Sequence, residues 1–183
     1  MGTRALIKSD YSKIRKYGEG FFSIMLNQSF WAIFQYRIAN RIYYSGLPKW
    51  LRKFLFVFTM LWQKLVEIMT GITIPAGTKI GHSFYIGHFG GVHISPFAVI
   101  GNNCNLSQGV TIGVGGTGKR RGVPVIGDNV YVGANAVLAG PITVSNNVLV
   151  AAASLLVTDA PEDAVMMGVP ATIQFYSGSR GYI

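Results

Sequence analysis

Three histidines, His82, His88 and His93, are the side chains best suited to moving a proton near neutral pH. His88 is distinguished by the glycines around it, in Gly87-His88-Phe89-Gly90-Gly91. A neutral imidazole, with an ordinary pKa of about 6.5, accepts the proton of a hydroxyl group as that hydroxyl attacks a carbonyl carbon. His88 is therefore the candidate general base, and the alternative is an ordinary surface histidine.

A second candidate for chemistry is the basic run Lys119-Arg120-Arg121, which lies in a glycine-rich stretch from residue 114 to 125. Lysine and arginine bind phosphate and carboxylate groups through charge-assisted hydrogen bonds. We expect this run to contact ligand phosphates or an anionic acceptor, and the alternative is a solvated, flexible loop.

The element that must position these residues is a six-residue repeat. Large aliphatic side chains recur every sixth residue from Ile126 to Leu156, and the same spacing appears upstream, at 74–86 and 94–112. A period of six fits neither an amphipathic helix nor a simple strand, and hexapeptide repeats are typical of a parallel β-helix. The sequence therefore predicts a mainly β core over residues 72–157, with one bulge after Ile86 and an excursion loop at 114–125.

Stacking three hexads per coil places His88 in an outward column of side chains. The inward column of this face is Ile86, Leu106, Val132 and Val150. The outward column, two residues further on, is His88, Gln108, Ala134 and Ala152. The side chains of Ala134 and Ala152 are small, whereas those of the polar pair His88 and Gln108 are larger. We therefore expect an open groove over the alanines, in which a long thin ligand brings its reactive end to His88.

These motifs resemble those of the left-handed β-helix acyltransferases, and most closely the serine acetyltransferase-like branch. The resemblance covers roughly residues 70 to 173. Its carriers are Gly87-His88-Phe89-Gly90-Gly91, Gln108-Gly109-Val110-Thr111-Ile112-Gly113, Gly115-Gly116-Thr117-Gly118-Lys119 and Gly168-Val169-Pro170-Ala171. It implies a homotrimer that transfers an acetyl group from acetyl-CoA, as cosubstrate, to a hydroxyl acceptor.

The resemblance also implies roles for single residues. The pantetheine arm of coenzyme A would lie in the groove, His88 would be catalytic, and backbone N–H groups near Gly113 would stabilise the oxyanion. The residues expected to bind the coenzyme are Gly113, Lys119, Arg120, Ala134, Ala152 and Pro170. The residues expected to bind the acceptor are Thr73, Gly87, Phe89 and Gln108.

Four positions depart from the serine acetyltransferase pattern. Gly87 replaces the Asp before the catalytic His, Gly122-Val123 replaces an Arg-His pair, and Thr73 replaces the carboxylate that orients the catalytic His. In that branch these groups hold the amino acid. We therefore expect a sugar hydroxyl in surface polysaccharide assembly as the acceptor, and the alternative is serine, in cysteine biosynthesis. Glu67 is the candidate partner for His88.

A further alternative is a non-catalytic or metal-binding β-helix protein. His88 and His93 are five residues apart, as in the related β-helix carbonic anhydrases, but the only third histidine is His82. We interpret His82 as a solvated turn residue on a different face, and we expect no metal. Cys104, at a small inward position, is expected to be a buried structural thiol.

The formal net charge of +9 indicates an anionic partner. Nucleic acid is not expected, because no recognised binding motif accompanies the charge. Residues 1–20 lack the apolar run of a signal peptide, which favours a cytoplasmic location.

Three regions are expected: a helical region at 1–70, the β-helix at 71–158 and a C-terminal tail at 159–183. Helices are predicted over 21–45 and 48–69, with a break at Gly46-Leu47-Pro48. The apolar run at 54–62 is too short to span a bilayer. The second helix either caps the β-helix or lies on a membrane surface through residues 50–64, which would make the protein peripheral at the inner face of the membrane.

Overall fold

The computed structural model describes residues 1–18 and 20–183, and most of the chain winds into a three-sided prism of short strands. The strands are β1 (Ile72–Thr73), β2 (Lys79–Ile80), β3 (Tyr85–Ile86), β4 (Val92–Ile94), β5 (Val99–Ile100), β6 (Asn105–Leu106), β7 (Thr111–Gly113), β8 (Val125–Ile126), β9 (Tyr131–Val132), β10 (Val137–Ala139), β11 (Thr143–Val144), β12 (Leu149–Val150), β13 (Leu155–Leu156), β14 (Val165–Gly168) and β15 (Ala171–Phe175). Sheet A has the order β1-β4-β7-β10-β13, sheet B β2-β5-β8-β11 and sheet C β3-β6-β9-β12-β14-β15. This architecture confirms the mainly β, parallel β-helix predicted from the repeat.

The register of sheet C matches the predicted inward column. Ile86 lies opposite Leu106, Leu106 opposite Val132, and Val132 opposite Val150, and all four side chains are buried. The column continues to Met166, because β14 pairs in parallel with β12. Sheet C therefore extends past residue 158, where the hexapeptide spacing ends, and closes with the antiparallel strand β15.

The two interruptions of the repeat are local departures from the coil. The long interval after Ile86 contains Gly90 and Gly91, both with positive φ. The excursion loop contains a 3-10 turn over Gly118–Arg120 and is closed by backbone hydrogen bonds between Gly115 and Gly122. Neither interruption breaks the stacking of the coils around it.

The helical region contains four helices: α1 (Thr3–Lys16), α2 (Phe21–Leu26), α3 (Gln28–Tyr43) and α4 (Lys49–Thr70). The predicted helix over 21–45 is in fact two helices, because Asn27 leaves the helical conformation and its Oδ1 accepts a hydrogen bond from the Phe30 N–H. The break before α4 is where Gly46-Leu47-Pro48 predicted it. Helix α1 was not predicted, because two of its three buried residues are the polar Asp10 and Lys13.

A buried ion pair fastens the helices to the first coil. The Arg37 guanidinium donates to the Asp10 carboxylate at 2.8 and 3.1 Å and to the carbonyl oxygens of Ile80 and Gly81 at 2.7 and 2.6 Å. Asp10 also accepts a hydrogen bond from the Phe84 N–H at 2.9 Å. Because each charge is satisfied several times, the pair fixes α1 and α3 on the coil that precedes His88.

A ladder of asparagines forms one edge of the prism. Asn103, Asn129 and Asn147 all have left-handed φ values of 57°, 55° and 59°, and each of the first two side-chain amides donates to the next asparagine, at 2.8 and 3.1 Å. Lys13 ends the ladder, because its Nζ donates to Asn103 Oδ1 at 2.5 Å. Helix α1 is thus bonded to the prism edge as well as to the first coil.

The C-terminal segment returns along the same edge. Gly178 N–H donates to the Asp163 carbonyl and Ser179 N–H to the Asn147 carbonyl, both at 2.8 Å. The Tyr182 carbonyl accepts from Asn105 Nδ2 at 2.6 Å, and the Tyr182 ring packs on Tyr131 with the ring centroids 4.9 Å apart. Residues 178–182 therefore form a wall beside sheet C.

Within residues 1–18 and 20–183, no helix combines the length and the apolar character that a membrane span requires.

Candidate active site

A long groove of about 760 Å³ lies against the outer side of sheet C. The predicted outward column, His88, Gln108, Ala134 and Ala152, lines it. Neighbouring strands are about 4.8 Å apart, so the four steps from the coil of His88 to that of Met167 span roughly 19 Å. The groove therefore runs along sheet C across several coils, and His88 lies at one end of its column.

Several lining residues were not predicted. The Ser107 and Tyr131 hydroxyls lie 3.1 Å apart in the groove. They face outward because side chains alternate along β6 and β9, and this alternation could have identified them. Arg180 and Tyr182 come from the C-terminal wall. Nothing in the sequence indicated them, because the segment after residue 168 has no repeat from which its position could be inferred.

His88 also borders a second, smaller recess of about 320 Å³. Gly87 and Phe89, two of the residues expected to bind the acceptor, line this recess together with Tyr17 and Gln28. His88 is exposed and belongs to both cavities. A proton-accepting group between two adjacent cavities has the placement that transfer between two substrates requires.

Glycines hold the loop of His88 in place. Gly91 has φ +67°, and a Cβ there would lie 3.2 Å from the Gly109 Cα. Gly109 has φ +72° and donates its N–H to the Gly90 carbonyl at 2.9 Å. A side chain on Gly109 would collide with the Asn135 amide. These positions therefore need glycine both for the backbone conformation and for the close approach of neighbouring coils.

The partner proposed for His88 is engaged elsewhere. The Glu67 carboxylate accepts hydrogen bonds from Gln63 at 2.7 Å and from Lys64 at 2.6 Å, both on α4. No hydrogen bond joins the His88 ring to any residue of 1–18 and 20–183. Thr73 pairs with His93 on sheet A and lines neither cavity of His88. Glu67 and Thr73 are thus not placed to orient His88, whose side chain is exposed.

The basic loop lies on a different groove, of about 590 Å³. Arg120 lines it with Gly115, Ala139 and Asp159, and Gly113 pairs with Ala139 on sheet A. Lys119 is exposed, as is Pro170, in the turn between β14 and β15. No described residue lines both this groove and that of His88. A single chain therefore does not bring its basic loop to its own His88 groove.

The remaining candidates, Cys104 and the other two histidines, line neither cavity of His88. Cys104 is buried, as predicted, its Sγ donates to the Gly127 carbonyl at 3.2 Å, and burial raises the pKa of its thiol to about 11. His82 Nδ1 lies 3.1 Å from Ser83 Oγ, and His93 is exposed on sheet A. In the described part of the chain, no three His, Cys, Asp or Glu side chains are grouped as metal ligands.

Curated relatives and solved structures show the family of this chain, although no family model matches it. The serine acetyltransferase of Synechococcus elongatus is 34% identical over 163 residues, which are 88% of this chain and 63% of that protein. The Bacillus subtilis serine acetyltransferase is also 34% identical, over 87% of this chain and 70% of the length of that protein. The crystal structure of Neisseria gonorrhoeae serine acetyltransferase superposes with a TM-score of 0.81 at 31% identity, over 96% of this chain and 67% of the other.

The fold and these similarities place the chain in the class of left-handed β-helix, hexapeptide-repeat proteins to which the acyltransferases belong, which confirms the predicted fold class and resemblance. Within that class the chain belongs to the serine acetyltransferase family. It spans 63–65% of the length of the first three curated relatives.

Proposed function

We propose that this protein transfers an acetyl group from acetyl-CoA to a hydroxyl acceptor. The observation that carries the proposal is the position of His88 between a groove roughly 19 Å long, from the strand spacing, and a smaller recess. A long groove suits the pantetheine arm of coenzyme A, and the recess suits a small acceptor. A similar serine acetyltransferase was solved in complex with CoA, which supports this assignment of the cosubstrate.

In the proposed reaction His88 accepts the proton of the acceptor hydroxyl, and the hydroxyl oxygen bonds to the thioester carbonyl carbon. The carbon–sulfur bond then breaks, and the thiol of coenzyme A leaves with the proton returned by His88. The developing oxyanion requires hydrogen-bond donors within about 3 Å. The Gln108 amide, which lines the same groove, is the proposed donor from the same chain, and the backbone N–H groups near Gly113 would come from a neighbouring copy.

The proposed active form is a homotrimer. Because the basic loop and the His88 groove are separate on one chain, Lys119 and Arg120 would reach coenzyme phosphates only in the groove of a neighbouring copy. Gly113 and Pro170, which line neither cavity of His88, would likewise contribute from the edges of such an interface. A cytoplasmic location is proposed with this function, because the cytoplasm supplies acetyl-CoA.

The acceptor favoured by the comparisons is serine. The relatives are named serine acetyltransferases, and one similar protein was solved in complex with serine. The sugar acceptor that the sequence first suggested has no support from them. It remains a second candidate because of one observation: the recess contains Gly87, where the resemblance to the serine acetyltransferases implies an Asp.

A panel of acceptors tests the proposal. Purified protein is incubated with acetyl-CoA and either L-serine, a set of sugars or no acceptor, and release of the coenzyme thiol is followed with a thiol reagent. We expect acceptor-dependent release, fastest with L-serine. Fastest release with a sugar would make the second candidate the function. Binding of acetyl-CoA without acceptor-dependent release from any hydroxyl compound would contradict the proposal.

A further inference from the structure

Helix α4 presents an unbroken apolar stripe to solvent. Its exposed side chains recur at helical spacing. They are Trp50 (72% exposed), Phe54 (58%), Val57 (55%), Phe58 (58%), Leu61 (61%), Leu65 (61%) and Ile68 (82%). At about 1.5 Å per residue the stripe is roughly 27 Å long. A contiguous apolar surface of this kind marks an interaction site.

The opposite side of α4 holds the helix on the rest of the protein. Its buried residues are Thr59, Val66 and Thr70, and the Gln35 side chain of α3 donates to the Thr59 carbonyl at 3.1 Å. The helix is therefore held by its less apolar side, and the side with the aromatic and aliphatic residues faces outward. Packing within this chain does not account for the stripe.

The positive charge of the protein is concentrated in the helical region. Residues 1–70 contain eleven of the sixteen Lys and Arg residues but only three of the seven Asp and Glu residues, so they carry +8 of the net +9. On α4, Lys49, Arg52, Lys53 and Lys64 accompany the single acid Glu67. Lys53 and Lys64 border one side of the stripe, roughly 70–90° round the helix from its middle.

We propose that this face of α4 binds the surface of an anionic lipid membrane, with the helix lying in the plane of the interface. Aromatic and aliphatic side chains on one face and lysines at its margin are the features of interfacial helices. Anionic headgroups attract such a basic region. A second copy fits the face less well, because it would bring together two α4 helices that each carry four Lys or Arg side chains and a single acid.

The stripe also extends the binding segment suggested by the sequence. Residues 50–64 would have covered only part of the surface, whereas the exposed apolar side chains continue to Ile68 at the C-terminal end of α4. This function is separate from acetyl transfer, since α4 contributes no residue to the groove or the recess of His88.

Flotation with vesicles tests the proposal. The probes are vesicles of phosphatidylcholine with one quarter phosphatidylglycerol, and vesicles of phosphatidylcholine alone. The variant is Leu61→Glu/Leu65→Glu, which places two charges in the middle of the stripe. The control is Phe97→Glu/Val125→Glu, which changes the net charge equally at exposed apolar side chains of the prism (74% and 48% exposed). Light scattering on each protein gives its oligomeric state.

We expect wild type and control to float with the anionic vesicles. The floated fraction should be at least tenfold smaller with the neutral vesicles, and it should decrease as the salt concentration increases. The stripe variant should stay in the soluble fraction with an unchanged oligomeric state. Emission of Trp50 should shift to shorter wavelength on binding, and Trp50→Phe should remove most of that shift. Equal flotation of variant and wild type would overturn the proposal. The proposal would also be overturned if the wild type stayed in the soluble fraction and its oligomer dissociated in the stripe variant. That result would assign the face to a second copy.

Discussion

At the scale of single residues, Gly87 separates the two candidate acceptors. A Cβ on Gly87 would meet only ordinary contacts, Tyr85 Cε1 at 3.7 Å and the Leu106 carbonyl oxygen at 3.8 Å. Gly122 differs, since a Cβ there would lie 2.6 Å from the Pro141 Cβ. The family's aspartate can therefore be restored beside His88 without moving the coil, whereas its arginine cannot be restored in the excursion loop.

Gly87→Asp is expected to fold normally and to raise kcat/KM for L-serine about tenfold. A carboxylate beside His88 would orient the ring and bind the ammonium group of serine by a charge-assisted hydrogen bond. Steady-state kinetics with L-serine and with sugars measure the change. Gly122→Arg serves as the comparison and should lower stability. Equal loss of activity towards serine and sugars in Gly87→Asp would show that Gly87 is needed for packing and does not select the acceptor.

Residue positions within the repeat could be predicted because the period is fixed. Once six residues per strand were recognised, His88, Gln108, Ala134 and Ala152 followed as one column, and the structure places them in one groove. Arg180 and Tyr182 line the same groove but come from a segment without a repeat. Their positions depend on hydrogen bonds such as that from Asn105 to the Tyr182 carbonyl, for which the sequence has no pattern.

At the scale of elements, α1 shows the limit of hydropathy as a guide. Asp10 and Lys13 are buried because each has a specific partner, Arg37 for the first and Asn103 for the second. A polar residue at a buried position looks like a surface residue until its partner is known. Helix α4 shows the converse, because its most apolar side is exposed to solvent.

Lys13 gives the docking of α1 a dependence on pH. Burial lowers the pKa of its ammonium from 10.5 to about 8. Above pH 8 the unfolded chain therefore binds more protons than the folded one, and stability rises with pH. Cys104, whose pKa burial raises from 9.0 to about 11, opposes this trend above pH 9. The clearest window is thus pH 8 to 9.

We expect the free energy of unfolding to rise by up to about 1 kcal/mol between pH 8 and 9. Lys13→Met should remove the rise, whatever its effect on stability at a single pH. Urea denaturation at closely spaced pH values measures the slope. An equal slope in wild type and Lys13→Met would mean that Lys13 is not the titrating group.

At the scale of the whole molecule, the proposed coenzyme site requires more than one chain. The groove of His88 and the groove of Arg120 share no described residue, so the proposed coenzyme site combines the prism of one copy with the loop of another. Light scattering should show a trimer at micromolar concentration, and a monomer that is fully active would contradict this arrangement.

Replacing Lys119, Arg120 and Arg121 together by Ala should raise the KM for acetyl-CoA more than it lowers kcat. Charges that contact phosphates far from the reacting carbon contribute equally to ground state and transition state. Lys79→Ala, at an exposed lysine of β2, is the control and should change neither constant. An unchanged KM in the triple variant would leave the loop as a solvated connection.

The central claim is that His88 removes the acceptor proton, and His88→Asn tests it most directly. Asparagine keeps a polar side chain at this exposed position but does not accept a proton near neutral pH. With the best acceptor, kcat should fall by ~10²–10⁴-fold, while the affinity for coenzyme measured by calorimetry stays near that of wild type. His82→Ala, the control, should keep most of its activity. A His88→Asn protein that retains more than about a tenth of the wild-type kcat would contradict general-base catalysis by His88.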